Sequence, residues 1–154
     1  MKFQISRTLL DNTLQNVSKG LSTKTPMPIL MGIQIIAKRE SLTFITTNKE
    51  ISVQVVLEPS SDLEIVEEGS CVVPGKYFVD IVKRIEGNSV DFTLFDETTI
   101  KIISKNSDFT LRAYEKNNFP NTNFNLNSEP IVLKSKDLRQ IVKQTAFACS
   151  TSEE

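Results

Sequence analysis

Two pairs of lysines are spaced seven residues apart, Lys76 with Lys83 and Lys136 with Lys143, each inside a segment whose apolar residues recur at helical spacing. Side chains seven apart share one face of a helix, and here that face lies opposite the apolar stripe. Such rows can pair with phosphates as a sequence-blind electrostatic footprint. The plainer reading is that lysine and arginine are good helix formers and that solvated helix faces are normally charged. Charge alone leaves both readings open.

Other chemistries find little support. The chain has no histidine, the commonest general base and metal ligand near neutral pH, which weighs against most hydrolase and zinc sites. No Walker loop, dinucleotide fingerprint, Gly-x-Ser-x-Gly elbow or Cys-x-x-Cys occurs, and five glycines are too few for phosphate-cradling loops. The adjacent carboxylates Glu67-Glu68 and Asp96-Glu97 read as solvated turns. Cys71 and Cys149, beside Val72 and Ala148, read as buried small hydrophobes and not as nucleophiles. Asn16-Val17-Ser18 is a chance sequon inside a helical pattern. Phe92, Phe95 and Phe109 fall in strand patterns without the basic surroundings of a base-stacking sheet. Neither a metal nor a cofactor is expected, and the chain does not read as an enzyme.

At 154 residues, with 39% hydrophobic and 24% charged residues, the chain has the size and balance of one globular domain, or of one domain plus an extension. No apolar run is long enough for a membrane span, and the start, Met1 to Ser6, lacks the apolar stretch of a signal peptide. Two cysteines make no disulfide framework and fit a reducing, cytosolic compartment.

The elements that must carry the lysines repeat. Phe3-Gln4-Ile5 alternates as a short strand, and Leu10, Leu14, Val17 and Leu21 then form one helical stripe. Ser6 can cap that helix, and Gly20 suits a left-handed residue just past its end. After a loop containing Pro26 and Pro28, strands are predicted over Met31–Lys38, Ser41–Asn48 and Ile51–Glu58. The order recurs with a strand at Ser70–Val73 and a helix carrying Phe78, Ile81, Val82 and Ile85 that ends at Gly87. Strands follow at Val90–Phe95, Thr99–Ser104 and Phe109–Ala113. The expected fold is α+β, a doubled β-α-β-β-β module with antiparallel sheets. After an asparagine-rich connector around Pro120, a third copy starts with a strand at Pro130–Leu133 and a helix bearing Leu138, Ile141, Val142 and Thr145. The strands that should cover this last helix do not follow, so either the chain is a fragment, which is the first expectation, or the helix docks on the preceding domain or on another chain.

Charge divides by element. Segment 6–24 sets Arg7, Lys19 and Lys24 against Asp11 for +2, segment 74–86 carries +1, and segment 134–149 carries +3. The chain as a whole is −1, so everything outside those segments carries −7. If the helices lie together, one side is basic and the other acidic.

Several stretches match a known pattern in order and at matching spacing. Met1-Lys2-Phe3 and Thr25-Pro26-Met27-Pro28-Ile29-Leu30 are two of them; Val73-Pro74-Gly75-Lys76-Tyr77-Phe78 and Phe109-Thr110-Leu111 leading to Asn118-Phe119-Pro120 are two more. With Gln144 to Glu153 as the fifth, the chain resembles, along its whole length, the N-terminal domain of the bacterial DNA polymerase III β subunit, the sliding clamp, with the start of its second domain. The resemblance implies a DNA-clamp fold, with two helices on one face of the antiparallel sheets. Residues 1–125 would form the first domain, and 126–154 would be the incomplete strand-and-helix start of the second. In the family, two three-domain chains close head to tail around double-stranded DNA, and the ring tethers polymerase III and is handled by a clamp loader. The peptide groove for those partners lies between the second and third domains and should be absent here. A cytoplasmic location, at replication forks on the nucleoid, goes with that role.

The resemblance also points to residues. Lys24 stands where the family has a basic DNA-contacting residue, commonly arginine, and Ser152 lies in the loop where the second domain approaches DNA. Lys76, Lys83, Arg139 and Lys143 are expected in the central hole, from helix geometry taken together with the resemblance. Lysine suits sliding, because a flexible point charge makes weak, degenerate phosphate contacts. Tyr77, Phe109 and Leu111 correspond to the ring-closing edge, although Phe109 and Leu111 at period two also fit inward core positions. The competing expectations are a stand-alone α+β protein-interaction module, and a catalytic domain built on lysine or carboxylates.

Overall fold

In the computed structural model of the chain, the described residues are 1–22, 24–125, 129 and 131–149. They fall into two compact units, 1–122 and 123–154.

The first unit holds strand β1 (Lys2–Ser6), helix α1 (Arg7–Val17), strands β2 (Gly32–Lys38), β3 (Ser41–Thr47), β4 (Ser52–Leu57), β5 (Leu63–Glu67) and β6 (Gly69–Pro74), helix α2 (Gly75–Arg84), and strands β7 (Ser89–Leu94), β8 (Thr99–Ser104) and β9 (Ser107–Arg112). All pairings are antiparallel, in two sheets ordered β5-β1-β7-β8-β9 and β4-β3-β2-β6. Each half of the repeat lends its first strand to the other half's sheet. β1 pairs with β7, Phe3 opposite Phe92, while β6 pairs with β2, Ile35 opposite Cys71. Neither half therefore has a complete sheet without the other.

Alternation in the strands and the helical stripes meet in one core. Ile33, Ile35 and Ala37 of β2, Leu42 and Phe44 of β3, Leu10, Leu14 and Val17 of α1, and Phe78 and Val82 of α2 are buried in it. The Phe3 and Phe92 rings stack at 4.7 Å, and Phe78 meets Phe92 edge-on at 5.8 Å. A smaller core lies on the outer face of β4-β3-β2-β6, where Ile29, Leu30, Ile45, Val72 and Phe119 are buried and Met27, Ile36 and Tyr114 pack around them.

The local signals of the first helix act as expected at its start, where the Ser6 side chain caps α1 by accepting from the Leu9 N–H at 3.3 Å. Gly20 differs from expectation. It is not among the positive-φ residues, and its need for glycine is steric, because a Cβ there would lie 2.5 Å from Thr46 Oγ1. Gly87, with φ 109°, does take the conformation that only glycine adopts easily. Strand β5 was not anticipated; it is an edge strand carrying one fully buried side chain, Leu63.

In the second unit, α3 (Ser135–Thr145) forms as the stripe predicts, followed by a 3-10 turn at Ala146–Ala148. The strand expected at Pro130–Leu133 is not found over 131–133, and Pro130 lies outside the described residues. No strand accompanies it among the described residues of this unit, so that backbone has nothing to pair with. Cys149 is exposed where a buried side chain was expected, the described residues of this unit holding no sheet to bury it; Cys71 is buried in β6, and burial pushes its thiol up to about 12. No helix of the described residues is long and apolar enough to cross a membrane.

Candidate nucleic-acid interface

α2 carries three exposed cationic side chains, Lys76, Lys83 and Arg84. Its buried stripe of Gly75, Phe78 and Val82 fixes its rotation, and this leaves Lys76, Tyr77, Asp80, Lys83 and Arg84 exposed. Lys76 and Lys83 thus stand two turns apart on one solvent face, and Lys83 and Arg84 occupy the last turn, where cations complement the helix dipole.

α1 packs against α2, but its outward face is not the cationic stripe that the segment charge suggests. Asn12, Gln15 and Asn16 are exposed there, with Asp11 and Gln15 hydrogen-bonded at 2.8 Å. Arg7 is half-buried, and its Nη2 donates to the Lys83 carbonyl at 3.0 Å, so its guanidinium ties the start of α1 to the end of α2. The remaining positive charges of segment 6–24 lie past the helix: Lys19 is exposed on the 3-10 turn Ser18–Gly20, and Lys24 is exposed on the connection to β2.

That connection is longer than the fold demands. The second half passes from α2 to β7 through residues 85–88, whereas the first passes from its 3-10 turn to β2 through 21–31. The additional length makes the Lys24 segment. Thr25 Oγ1 accepts from the Met27 N–H at 3.1 Å, Leu30 N–H donates to Met27 O at 3.0 Å, and Ser22 N–H donates to Leu30 O at 3.2 Å.

In the second unit, Arg139 and Lys143 are exposed one turn apart on α3, and the apolar stripe of Leu138, Ile141 and Val142 is half-exposed. Ser152 lies outside the described residues.

Tyr77, Phe109 and Leu111 do come together. They line one groove of about 310 Å³ with Asp80, Ile81 and Arg84, between α2 and the edge strand β9. Tyr77 is 64% exposed. Phe109 and Leu111 are half-buried, packed against the main core on one side and open to the groove on the other, so they are core and surface at once. Arg84 was missed as a member of this group. Its signal was the spacing Tyr77, Asp80/Ile81, Arg84, which is one helix face, but that face gains meaning only once β9 lies across from it.

Catalytic expectations find no anchor. Among the described residues no group of three or more possible ligands could hold a metal, and Glu67-Glu68 and Asp96-Glu97 are exposed. Asp96 is committed to its turn. It is held below the ordinary carboxylate range by the backbone N–H of Thr98 and of Thr99 and by the Thr99 hydroxyl.

Residues 1–123 match the family described as "DNA polymerase III beta subunit, N-terminal domain". The beta sliding clamp of Staphylococcus epidermidis is 35% identical over 99% of this chain, and that of Staphylococcus aureus is 34% identical over the same share. The chain spans 42% of the length of these curated relatives. The crystal structure of the beta subunit from the DNA polymerase of Streptococcus pyogenes matches with TM-score 0.92 at 27% identity, over 100% of this chain and 41% of that one. The DNA polymerase sliding clamp from Bacillus subtilis matches with TM-score 0.93 at 28% identity, over 99% of this chain and 41% of that one. An α+β fold of two interlocked antiparallel halves, matched in sequence over residues 1–123 and in structure from end to end, is that of the clamps: this chain belongs to the DNA polymerase III beta subunit family, the beta sliding clamps.

Proposed function

We propose that this chain forms part of a ring that encloses duplex DNA and holds it without reading its sequence. Residues 1–125 serve as the first clamp domain and 126–154 as the start of the second. The contacts are made by Lys24, Lys76 and Lys83 in the first domain, by Arg139 and Lys143 on α3, and by Ser152 further along the chain. Tyr77, Phe109 and Leu111 lie at the edge where two chains close head to tail. The ring as a whole tethers polymerase III and is placed on DNA by a clamp loader, in the cytoplasm at replication forks on the nucleoid.

The observation that carries this reading is the α2 surface. Lys76 and Lys83 are exposed in a row opposite a buried stripe, on a fold shared with sliding clamps. A row of ammonium groups attracts a duplex through released counterions and presents no planar fork to lock onto one base step, so the duplex can translate past it. Family membership weighs against the stand-alone interaction module. The test is fluorescence anisotropy of labelled duplexes of unrelated sequence with the 154-residue chain. Binding should be weak, equal for all sequences, and should fall linearly on a log–log plot against salt. The combined variant Lys24→Glu, Lys76→Glu, Lys83→Glu, Arg139→Glu, Lys143→Glu should abolish it while keeping the native circular dichroism spectrum. Undiminished affinity in that variant sinks the assigned face.

A further inference from the structure

We propose that Phe119 is a positioning residue for Lys24: by closing the smaller core it holds the segment 24–31 in the geometry that presents the lysine. This deepens the DNA-contact reading above and rests on it for its functional consequence.

The second half of the repeat shows that four residues suffice to join helix to strand, whereas the described residues of 21–31 include one short regular element, a 3-10 turn at Pro28–Met31. Besides the bonds given above, the Ser22 hydroxyl donates to Lys24 O at 3.3 Å, and Pro26 and Pro28 supply no backbone donors. The segment's foothold is apolar. Ile29 and Leu30 are buried and Met27 is partly so, all three resting on Ile45, Val72 and Ile36 of the sheet's outer face.

Phe119 is buried in the same cluster. It is 8% exposed and is the bulkiest buried side chain of the smaller core. The chain reaches it by bridging to the edge strand β6 at Tyr114, whose N–H donates to Val72 O at 2.8 Å, and then through a 3-10 turn at Lys116–Asn118. The packing there is tight: a Cβ on Gly32 would lie 2.5 Å from Val72 Cγ1 and 3.1 Å from Tyr114 Cδ2. A close-packed cluster of this size has few alternative arrangements, so removing its largest member loosens the parts packed around it. Those parts include the residues leading to Lys24, more than ninety positions earlier in the chain.

The experiment uses the full chain and two readouts. Amide hydrogen exchange at Leu30 and Ser22 should accelerate at least about tenfold in Phe119→Ala, with the Ile85 amide at the end of α2 keeping its protection. Phe119→Leu should restore slow exchange. In duplex titrations, Phe119→Ala should lower the salt slope by about one, as Lys24→Gln should, and the double variant should lower it no further. Met27→Ala trims the same core from the loop side and serves if Phe119→Ala fails to fold. Unchanged exchange at Leu30 and Ser22 overturns the proposal, as does faster exchange with an unaltered slope. Absence of duplex binding in the unaltered chain would instead overturn the functional reading, and the exchange result would still decide whether Phe119 holds the segment.

Discussion

Thr46 and Ser104 occupy equivalent places in the two half-domains, each the sixth residue of the second strand after a helix. The Thr46 hydroxyl donates to Val17 O at 2.5 Å, at the end of α1, and the Ser104 hydroxyl lies within hydrogen-bond reach of two carbonyls, Glu86 O at 2.8 Å, just past α2, and Ser89 O at 2.5 Å, at the start of β7. Each also crowds a glycine: a Cβ on Gly20 would sit 2.5 Å from Thr46 Oγ1, and one on Gly87 would sit 2.8 Å from Ser104 Oγ. The repeat thus extends to how each helix end is bonded and packed, beyond element order.

The two glycines should nevertheless respond differently. Gly20→Ala meets only a steric obstacle, so adding Thr46→Ala should recover part of the lost stability, a coupling of about 0.5–3 kcal/mol in a double-mutant cycle. Gly87→Ala keeps the strain of a φ of 109° whatever its neighbour, so Ser104→Ala should rescue it little. Urea unfolding of the four single and two double variants measures both. Equal rescue at the two sites would remove the distinction.

Much of this fold is legible locally. The stripes Leu10-Leu14-Val17 and Phe78-Ile81-Val82-Ile85 mark α1 and α2 because each helix buries one face against sheets. Strand partners are not legible, because alternation says which face is buried and not who lies alongside; the pairing of Gln4 with Asp91 and the lending of β1 and β6 between sheets are settled by the whole core. β5 escapes notice because an edge strand with two glutamates reads as a turn. At the site, the Lys76–Lys83 row is visible in the spacing alone. The neutral outward face of α1 is not, since a segment's net charge is silent on whether Arg7 faces water or, as here, the Lys83 carbonyl. Lys24 was reached by resemblance, and its support, Phe119, lies too far along the chain for any local pattern to connect them.

The groove beside β9 makes a separable prediction about stability. Tyr77 is mostly exposed, so Tyr77→Ala should leave the unfolding free energy within about 0.5 kcal/mol. Phe109 packs partly on the main core, so Phe109→Ala should lower it by about 1–3 kcal/mol. Chemical denaturation of both variants checks this. A larger loss at Tyr77 than at Phe109 would mean that the groove is mainly structural and not a surface kept open for a partner.

The cysteines should separate cleanly by reactivity. Cys71 is buried and its thiol is pushed up to about 12, so almost none is thiolate near neutral pH, whereas Cys149 is exposed. A thiol-disulfide reagent should label one cysteine of the native chain rapidly and the second only on unfolding. Mass spectrometry of digested, labelled protein should place the fast label on Cys149. Rapid labelling of Cys71 would mean that β6, the strand lent between the halves, opens readily.

Acid sensitivity of the β7–β8 turn follows from Asp96. Its carboxylate accepts from the Thr98 and Thr99 backbone amides at 2.7 and 2.6 Å and from the Thr99 hydroxyl at 3.0 Å. These bonds hold the folded-state pKa below the ordinary value. A depressed carboxylate stabilises the fold fully above its unfolded pKa, about 3.9, and that contribution disappears as pH falls through the lower folded value. Asp96→Asn retains an acceptor oxygen for the amides but cannot titrate. Its stability should therefore be slightly lower near neutrality and should change less than that of the unaltered chain between about pH 5 and 2. Urea midpoints measured over that range decide it: parallel pH profiles for the two proteins would show that Asp96 contributes nothing to the acid response, and that the turn is held by backbone pairing alone.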